Sequence, residues 1–246
     1  MIEGTPFSPA TAGWFDAVFE SPTPAQTRGW KAIADGTHTL IHAPTGSGKT
    51  LAAFLWSLDT LMTSPAPPAT SGCRVLYVSP LKALAYDVDR NLRAPLTGIR
   101  AEAMKLDLET TDISVAMRTG DTPQNERQAM VRNPPDLLIT TPESLYLMLT
   151  SRAREILTTV ETVIIDEIHS LAGTKRGAHL ALSLERLDEL ATTSPQRIGL
   201  SATQRPLEVI AEFLGGGAAT EDTWTPRPVT IIDAPMDKAL DVEIVV

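Results

Sequence analysis

The sequence has a single cysteine, Cys73, among 246 residues. That excludes an internal disulfide and fits a reducing compartment. Cys73 opens an apolar run and reads as a small core residue. No stretch is apolar enough to span a membrane. The N-terminus carries Glu3, Asp16 and several prolines without an apolar run, so no signal peptide is expected there. Positive charge is also short. Lys and Arg total 21 against 30 Asp and Glu, a formal net charge of −9. A broad basic face for gripping a polynucleotide is excluded, and any such contact must be local, through amides, hydroxyls and a few arginines. Of the four histidines, His38, His42 and His179 form no metal-ligand spacing. What is plentiful is apolar surface. At 43% hydrophobic, the chain suits one large α/β domain, or one domain plus a tail.

The most informative stretch is Ala43-Pro44-Thr45-Gly46-Ser47-Gly48-Lys49-Thr50. An apolar strand, Thr39–Ile41, precedes it, and apolar residues at helical spacing follow from Leu51 to Met62. Strand, glycine-bearing loop and helix make a phosphate-binding loop. Gly46 and Gly48 let successive N–H groups converge on one anion, and the helix start adds its positive end. Pro44 to Thr50 would wrap the phosphates. Lys49 would reach the β- and γ-phosphates, and Thr50 would hold Mg²⁺. Ala43 stands where the motif usually begins with glycine.

The chain then repeats one theme. Short apolar runs at Val75–Val78, Ile113–Met117, Leu137–Ile139, Val163–Ile165 and Ile198–Leu200 each end in a polar or Gly/Pro motif, usually followed by a helix. Such runs predict a parallel sheet covered on both faces, with ligands at the carboxyl ends of its strands. A short helix is expected around Trp14 to Phe19 and another from Pro24 to Ala34. Loops are expected at Ser64–Pro68 and Thr223–Pro228, and terminal strands at Thr230–Ile232 and Val242–Val246. Trp56, Leu58, Leu61, Leu182, Leu184 and Leu187 read as core.

Asp166 follows a buried run, as a carboxylate for Mg²⁺ should, and adjacent Glu167 suits a base that polarises water toward a γ-phosphate. Ser201-Ala202-Thr203 would bring two hydroxyls to a neighbouring strand end, within bonding reach of the Asp166–His169 segment. Ser79-Pro80 and Thr141-Pro142 read as strand ends running into helix starts. Proline suits the first helical position, and the free N–H groups there bind backbone phosphate rather than bases. Lys82 and Arg118 would add charge beside Gly120. Lys175-Arg176 beside Gly177 reads equally as a phosphate contact or as a solvated charge pair. No Asn-Lys-x-Asp motif is present, which argues against a GTPase. A small-molecule kinase would leave the Ser79, Thr141 and Ser201 motifs without a role.

The phosphate loop, Asp166-Glu167-Ile168-His169 and Ser201-Ala202-Thr203, in that order, resemble the first motor domain of superfamily 2 helicases. Ser79–Leu84 looks like their motif Ia and Thr141–Leu145 like motif Ib. Pro44–Phe54, Ser79–Leu84, and Asp166–Leu171 followed by Lys175-Arg176-Gly177 are closest to the large helicase-related (Lhr) family. The similarity runs from about Phe15 to Leu214. The resemblance implies a RecA-like P-loop domain, α/β, with a mostly parallel sheet under helices on both faces. It implies ATP and Mg²⁺ as cofactors. By position Lys49, Thr50, Asp166 and Glu167 match the ATPase residues, His169, Ser201 and Thr203 those that couple hydrolysis to strand movement, and Gln26 the glutamine that reads adenine. DEAD-box relatives carry an aromatic where this chain has Pro9, and Phe7, Trp14, Phe15 or Phe19 are the available substitutes.

The implied layout is a lead-in at 1–22, the RecA-like domain at 23–225, and a strand or linker at 226–246 toward a second RecA-like domain. The implied partners are that domain and single-stranded nucleic acid, with DNA favoured over RNA or a hybrid, and no membrane. A cytoplasmic setting, nucleoid-associated in a bacterium, and a task in DNA repair would follow. A truncated chain lacking the second domain's arginine fingers would hydrolyse ATP barely at all. The alternatives are a nucleotide-gated binding module that never translocates, and an RNA helicase of the Ski2-like or DEAD-box type.

Overall fold

The computed structural model describes residues 6–65, 72–202, 205–219 and 223–234. The strand expected at Val242–Val246, the loop residues Ala66 to Pro68, and Thr203 lie outside them. Seven strands form one sheet: β1 (His38–His42), β2 (Val75–Val78), β3 (Val115–Arg118), β4 (Leu137–Thr140), β5 (Thr162–Ile165), β6 (Gln196–Ser201) and, late in the chain, β9 (Val229–Asp233). Their order is β3-β4-β2-β5-β6-β1-β9, and every neighbouring pair is parallel. The third strand begins and ends later than its apolar run suggests. Arg118 therefore belongs to the strand, not to the loop after it.

Helices cover both faces because the strand residues are apolar in both directions. On one face Tyr77, Ile139, Ile164 and Ile198 pack with Phe54 and Leu58 of α3 (Lys49–Thr63) and with Val88 of α4 (Lys82–Lys105). On the other, Leu76, Val78, Leu138 and Ile165 pack with α6 (Pro142–Leu149), α7 (Lys175–Leu190) and α8 (Leu207–Gly215). Cys73 is buried in that second core, as expected. On α7, Leu180, Leu184 and Leu187 point inward, whereas Leu182, read from the sequence as core, is 63% exposed. Its position falls off the helical stripe that the other three share.

The short helix expected around Trp14 to Phe19 is α1 (Pro9–Val18), which starts earlier and lies against α4. Trp14 and Phe15 join Trp30 of α2 (Pro24–Ala34), Leu55 and Ile99 in a third apolar cluster. The Phe15 and Trp30 rings meet edge to face at 5.3 Å, an arrangement worth about 0.5–1.5 kcal/mol beyond area burial. Gly98 permits the approach, because a Cβ there would lie 2.2 Å from the Trp14 indole nitrogen. At the other end, the expected loop at 223–228 contains β8 (Trp224–Pro226), paired antiparallel with β7 (Gly217–Ala219). The terminal strand expected at Thr230–Ile232 is β9, which completes the sheet beside β1. Among the described residues no helix is long and apolar enough to cross a membrane.

Candidate functional site

β1 ends at His42, and the chain turns through Ala43–Gly48 into α3. Gly46 and Gly48 have φ of 80° and 78°, left-handed values that a side chain would strain. At Gly48 a Cβ would also sit 2.5 Å from Nε2 of Gln26. The loop is held from below by α2. Thr23 caps that helix, accepting from the Gln26 N–H, while its hydroxyl donates to the Ser47 carbonyl at 2.8 Å. Gln26 is only 3% exposed, and its side-chain oxygen accepts from the Thr23 N–H at 2.9 Å.

Lys49 is buried and donates to the Pro44 carbonyl at 2.9 Å. Burial lowers its pKa, and the charges of Glu167 and Asp166 oppose that shift. The Ser47 hydroxyl is buried without a partner among the described residues. A buried ammonium, an unpartnered hydroxyl and a loop of left-handed glycines together suit a polyphosphate.

The carboxylates arrive from β5. Asp166 is buried, its Oδ1 accepts from the Glu167 N–H at 2.9 Å, and its Oδ2 accepts from the Tyr77 hydroxyl at 2.5 Å. Tyr77 belongs to no motif in the sequence, where it is one apolar residue in a strand. Its signal was a hydroxyl inside a fully buried run, which needs a partner. Burial, and then Asp166, push its pKa well up, so it stays a donor. Glu167 has φ 44°, a strained value for a non-glycine residue. Its Oε2 lies 3.3 Å from His169 Nε2, while His169 Nδ1 accepts from the Ala202 N–H at 3.4 Å. That pattern selects the tautomer with hydrogen on Nε2.

The expected Ser201 bond to this segment is therefore not what links them. The Ser201 hydroxyl is buried and without a partner among the described residues, and the neighbouring backbone N–H of Ala202 makes the contact. The Ser201 carbonyl instead accepts from Ala43 N–H at 3.1 Å, joining β6 to the phosphate loop. Beyond it, Asp233 at the end of β9 accepts from His42 at 2.9 Å and from Arg205 at 2.7 Å.

A cavity of about 580 Å³ opens over the loop, lined by Gln26, Lys49, Thr50, Asp166, Glu167 and the α4 residues Asn91 and Pro95 among others. Trp14 and Phe19 also line it. Phe7 and Phe15 are instead committed to Trp30, at ring distances of 4.9 and 5.3 Å.

The other half of the edge is plainer. Thr141 caps α6 with Pro142 at the first helical position, as expected. Ser79-Pro80 departs from expectation, because α4 starts only at Lys82 with Leu81 before it. The Ser79 hydroxyl donates to the Leu81 carbonyl at 3.0 Å. A proline two residues before the helix cannot serve as its first turn. Lys82 is paired with Asp121 at 2.7 Å, close to Gly120. Arg176 pairs with Glu143, leaving Lys175 as the exposed partner of that pair of basic residues. Arg118 is only 8% exposed and lines a second cavity together with Arg127 and Arg152.

The DEAD/DEAH box helicase family model matches residues 23–210. The chain is 59% identical over 238 residues to an Lhr helicase/probable uracil glycosylase of Mycolicibacterium smegmatis, and 54% identical over 245 residues to the Lhr helicase/uracil glycosylase of Escherichia coli. These matches cover 97% and 98% of the chain but 15% of each relative. Among solved structures, the helicase Lhr of Mycobacterium smegmatis bound to ssDNA and AMP-PNP superposes with a TM-score of 0.87 at 59% identity, over 96% of this chain and 28% of that one. The DEAD-box helicase Mss116, at 16% identity and a TM-score of 0.73, shares the fold. A seven-stranded parallel sheet with these motifs on its carboxyl edge, matched by the family model over most of its length, places the chain in the DEAD/DEAH box helicase family.

Proposed function

We propose that this chain is the N-terminal ATP-binding motor domain of an Lhr-like, ATP-dependent helicase or translocase that works on single-stranded nucleic acid. The observation that carries the reading is the gathering of Lys49, Thr50, Asp166 and Glu167 around one cavity at the sheet's edge. Pro44 to Thr50 would wrap the phosphates, with Ser47 donating its free hydroxyl. Thr50 and Asp166 would hold Mg²⁺, whose charge would neutralise the triphosphate and favour departure of its terminal group. Glu167 would accept the proton of the attacking water, its carboxylate held by His169. Gln26, with its oxygen engaged in the helix cap, would read adenine through its amide nitrogen, and Trp14 or Phe19 would take the place of the aromatic missing at Pro9.

His169, Ser201 and Thr203 would pass the state of the nucleotide to the rest of the edge. Thr141, Pro142, Ser79, Pro80, Lys82 and Gly120 would face the strand backbone. DNA is the favoured strand, because the Lhr relative of 59% identity was solved with ssDNA. A second RecA-like domain, in the part of the relatives that this chain does not span, would supply arginines to the same nucleotide. Work in DNA repair is the task this reading suggests, within a cytoplasmic, nucleoid-associated setting.

The test is Glu167→Gln in the full-length protein. Hydrolysis should fall by about 10²–10⁴-fold, unwinding should stop, and ATP-dependent strand binding should persist. A variant that still unwinds would sink the motor reading. Unchanged cycling of partner contacts would favour a nucleotide-gated module.

A further inference from the structure

A second cavity, of about 550 Å³, lies at the far flank of the sheet between α5 (Gln124–Arg132) and the turn Arg152–Leu157. Four of its lining residues are arginines, Arg118, Arg127, Arg132 and Arg152, and none is acidic. In a chain of net charge −9 this is a local reversal of sign. None of the four is paired with a carboxylate among the described residues, whereas Arg74, Arg93, Arg100, Arg176, Arg197, Arg205 and Arg227 all are.

The four divide into two kinds. Arg127 is spent on the fold, donating to the Thr122 carbonyl at 2.7 Å and the Gly120 carbonyl at 2.9 Å, which fixes the loop after β3. Arg118, at the end of β3, is buried, and its Nη1 has no partner among the described residues. Burial, and then the charge of Arg127, pull its pKa down. A buried guanidinium with an unmet donor is costly unless an anion completes it. Arg132 and Arg152 stand exposed at the mouth of the cavity.

We propose that this cavity is a phosphate subsite for the backbone of the single strand, taken up where the strand passes off the β4–β3 end of the sheet beyond Thr141 and Gly120. The proposal rests on the strand-binding reading above. Guanidinium groups match phosphate oxygens two at a time. The volume exceeds what one free phosphate needs, since a water's share of liquid is about 30 Å³. The cavity also adjoins the loop that carries Gly120, since Arg127, which lines it, donates to the Gly120 carbonyl.

The experiment follows the anisotropy of a fluorescein-labelled oligothymidylate with the chain, with R132A/R152A and with Arg118→Gln, between about 50 and 200 mM salt. The double variant alters only exposed side chains, and its thermal midpoint and nucleotide-analogue affinity should match the parent. Its plot of log affinity against log salt should be shallower by about 0.7 for each phosphate it no longer neutralises, with the same weakening for every base sequence. If the parent binds the strand and both variants keep its slope, the subsite is wrong while the strand reading stands. If the parent binds no strand, the strand reading fails and takes the subsite with it. Displacement of the strand by oligoglutamate in preference to unlabelled oligothymidylate would make this an acidic-peptide site. Inorganic phosphate that binds without competing with the strand would make it a small-anion site. Either outcome overturns the proposal.

Discussion

The carboxyl edge of the sheet has two halves built to different standards. On the β1, β5 and β6 side, with Tyr77 reaching in from β2, polar groups are buried or half-buried and locked to one another: Tyr77 to Asp166, Glu167 to His169, His169 to Ala202, Ser201 to Ala43. Three residues there, Gly46, Gly48 and Glu167, hold left-handed backbone. On the β2, β4 and β3 side, the visible chemistry is an ordinary helix cap at Thr141 and the exposed pairs Lys82–Asp121 and Arg176–Glu143. Phosphate chemistry needs donors fixed where charge develops. Holding a polymer backbone needs only amides and a few cations at regular places. The difference in workmanship is the one expected if the two halves have the two tasks proposed for them.

Gly48→Ala should break the first half outright. Left-handed backbone at a non-glycine costs about 1–2 kcal/mol, and the new methyl must displace Gln26. Nucleotide binding should be lost by calorimetry while strand affinity stays near the parent's. Retained nucleotide affinity would mean that the loop is not held as rigidly as its geometry indicates. Tyr77→Phe is subtler. Removing the donor frees the Asp166 rotamer, and loss of such an outer partner typically weakens metal binding by about 10- to 100-fold. The Mg²⁺ concentration for half-maximal ATPase activity in the full-length protein should rise accordingly, with the core still folded.

Thr141→Ala tests the other half. Loss of the cap should cost about 0.5–2 kcal/mol in a denaturant melt and weaken strand binding only several-fold, equally for all sequences. A strong sequence-dependent loss would show that this half reads bases.

Cys73 lies at the start of β2, away from both halves, and serves as a control. Burial pushes its thiol from 9.0 up to about 12. Because the folded value is the higher one, the stability linked to it is complete below about pH 9 and is lost as pH rises toward 12. Native protein should resist iodoacetamide, and labelling should track global unfolding rather than nucleotide occupancy. Rapid labelling of the native state at neutral pH would contradict the burial.

The nucleotide half was legible because its demands are local. A glycine loop between strand and helix, and an acid pair after an apolar run, are written in adjacent residues. The rest depended on what lies across the sheet. That Tyr77 faces Asp166 follows from β2 and β5 being neighbours in register, which no local pattern states. That Arg118 is buried was not legible, because its strand runs past the end of its apolar stretch. The role of Ala202 was hidden because a backbone N–H carries no side-chain label. β9 was legible as a strand, but not its partner, because β1 lies nearly two hundred residues earlier in the chain.

That last pairing has a mechanical side. β9 runs parallel to β1 over five residue pairs, from His38–Val229 to His42–Asp233, and ends beside the start of the phosphate loop. A tug on residues after Ala234, directed outward from the edge, would load those five pairs in shear, all at once, rather than peel them one by one. Such a load would reach His42, the residue before the phosphate loop, where Asp233 clasps both His42 and Arg205.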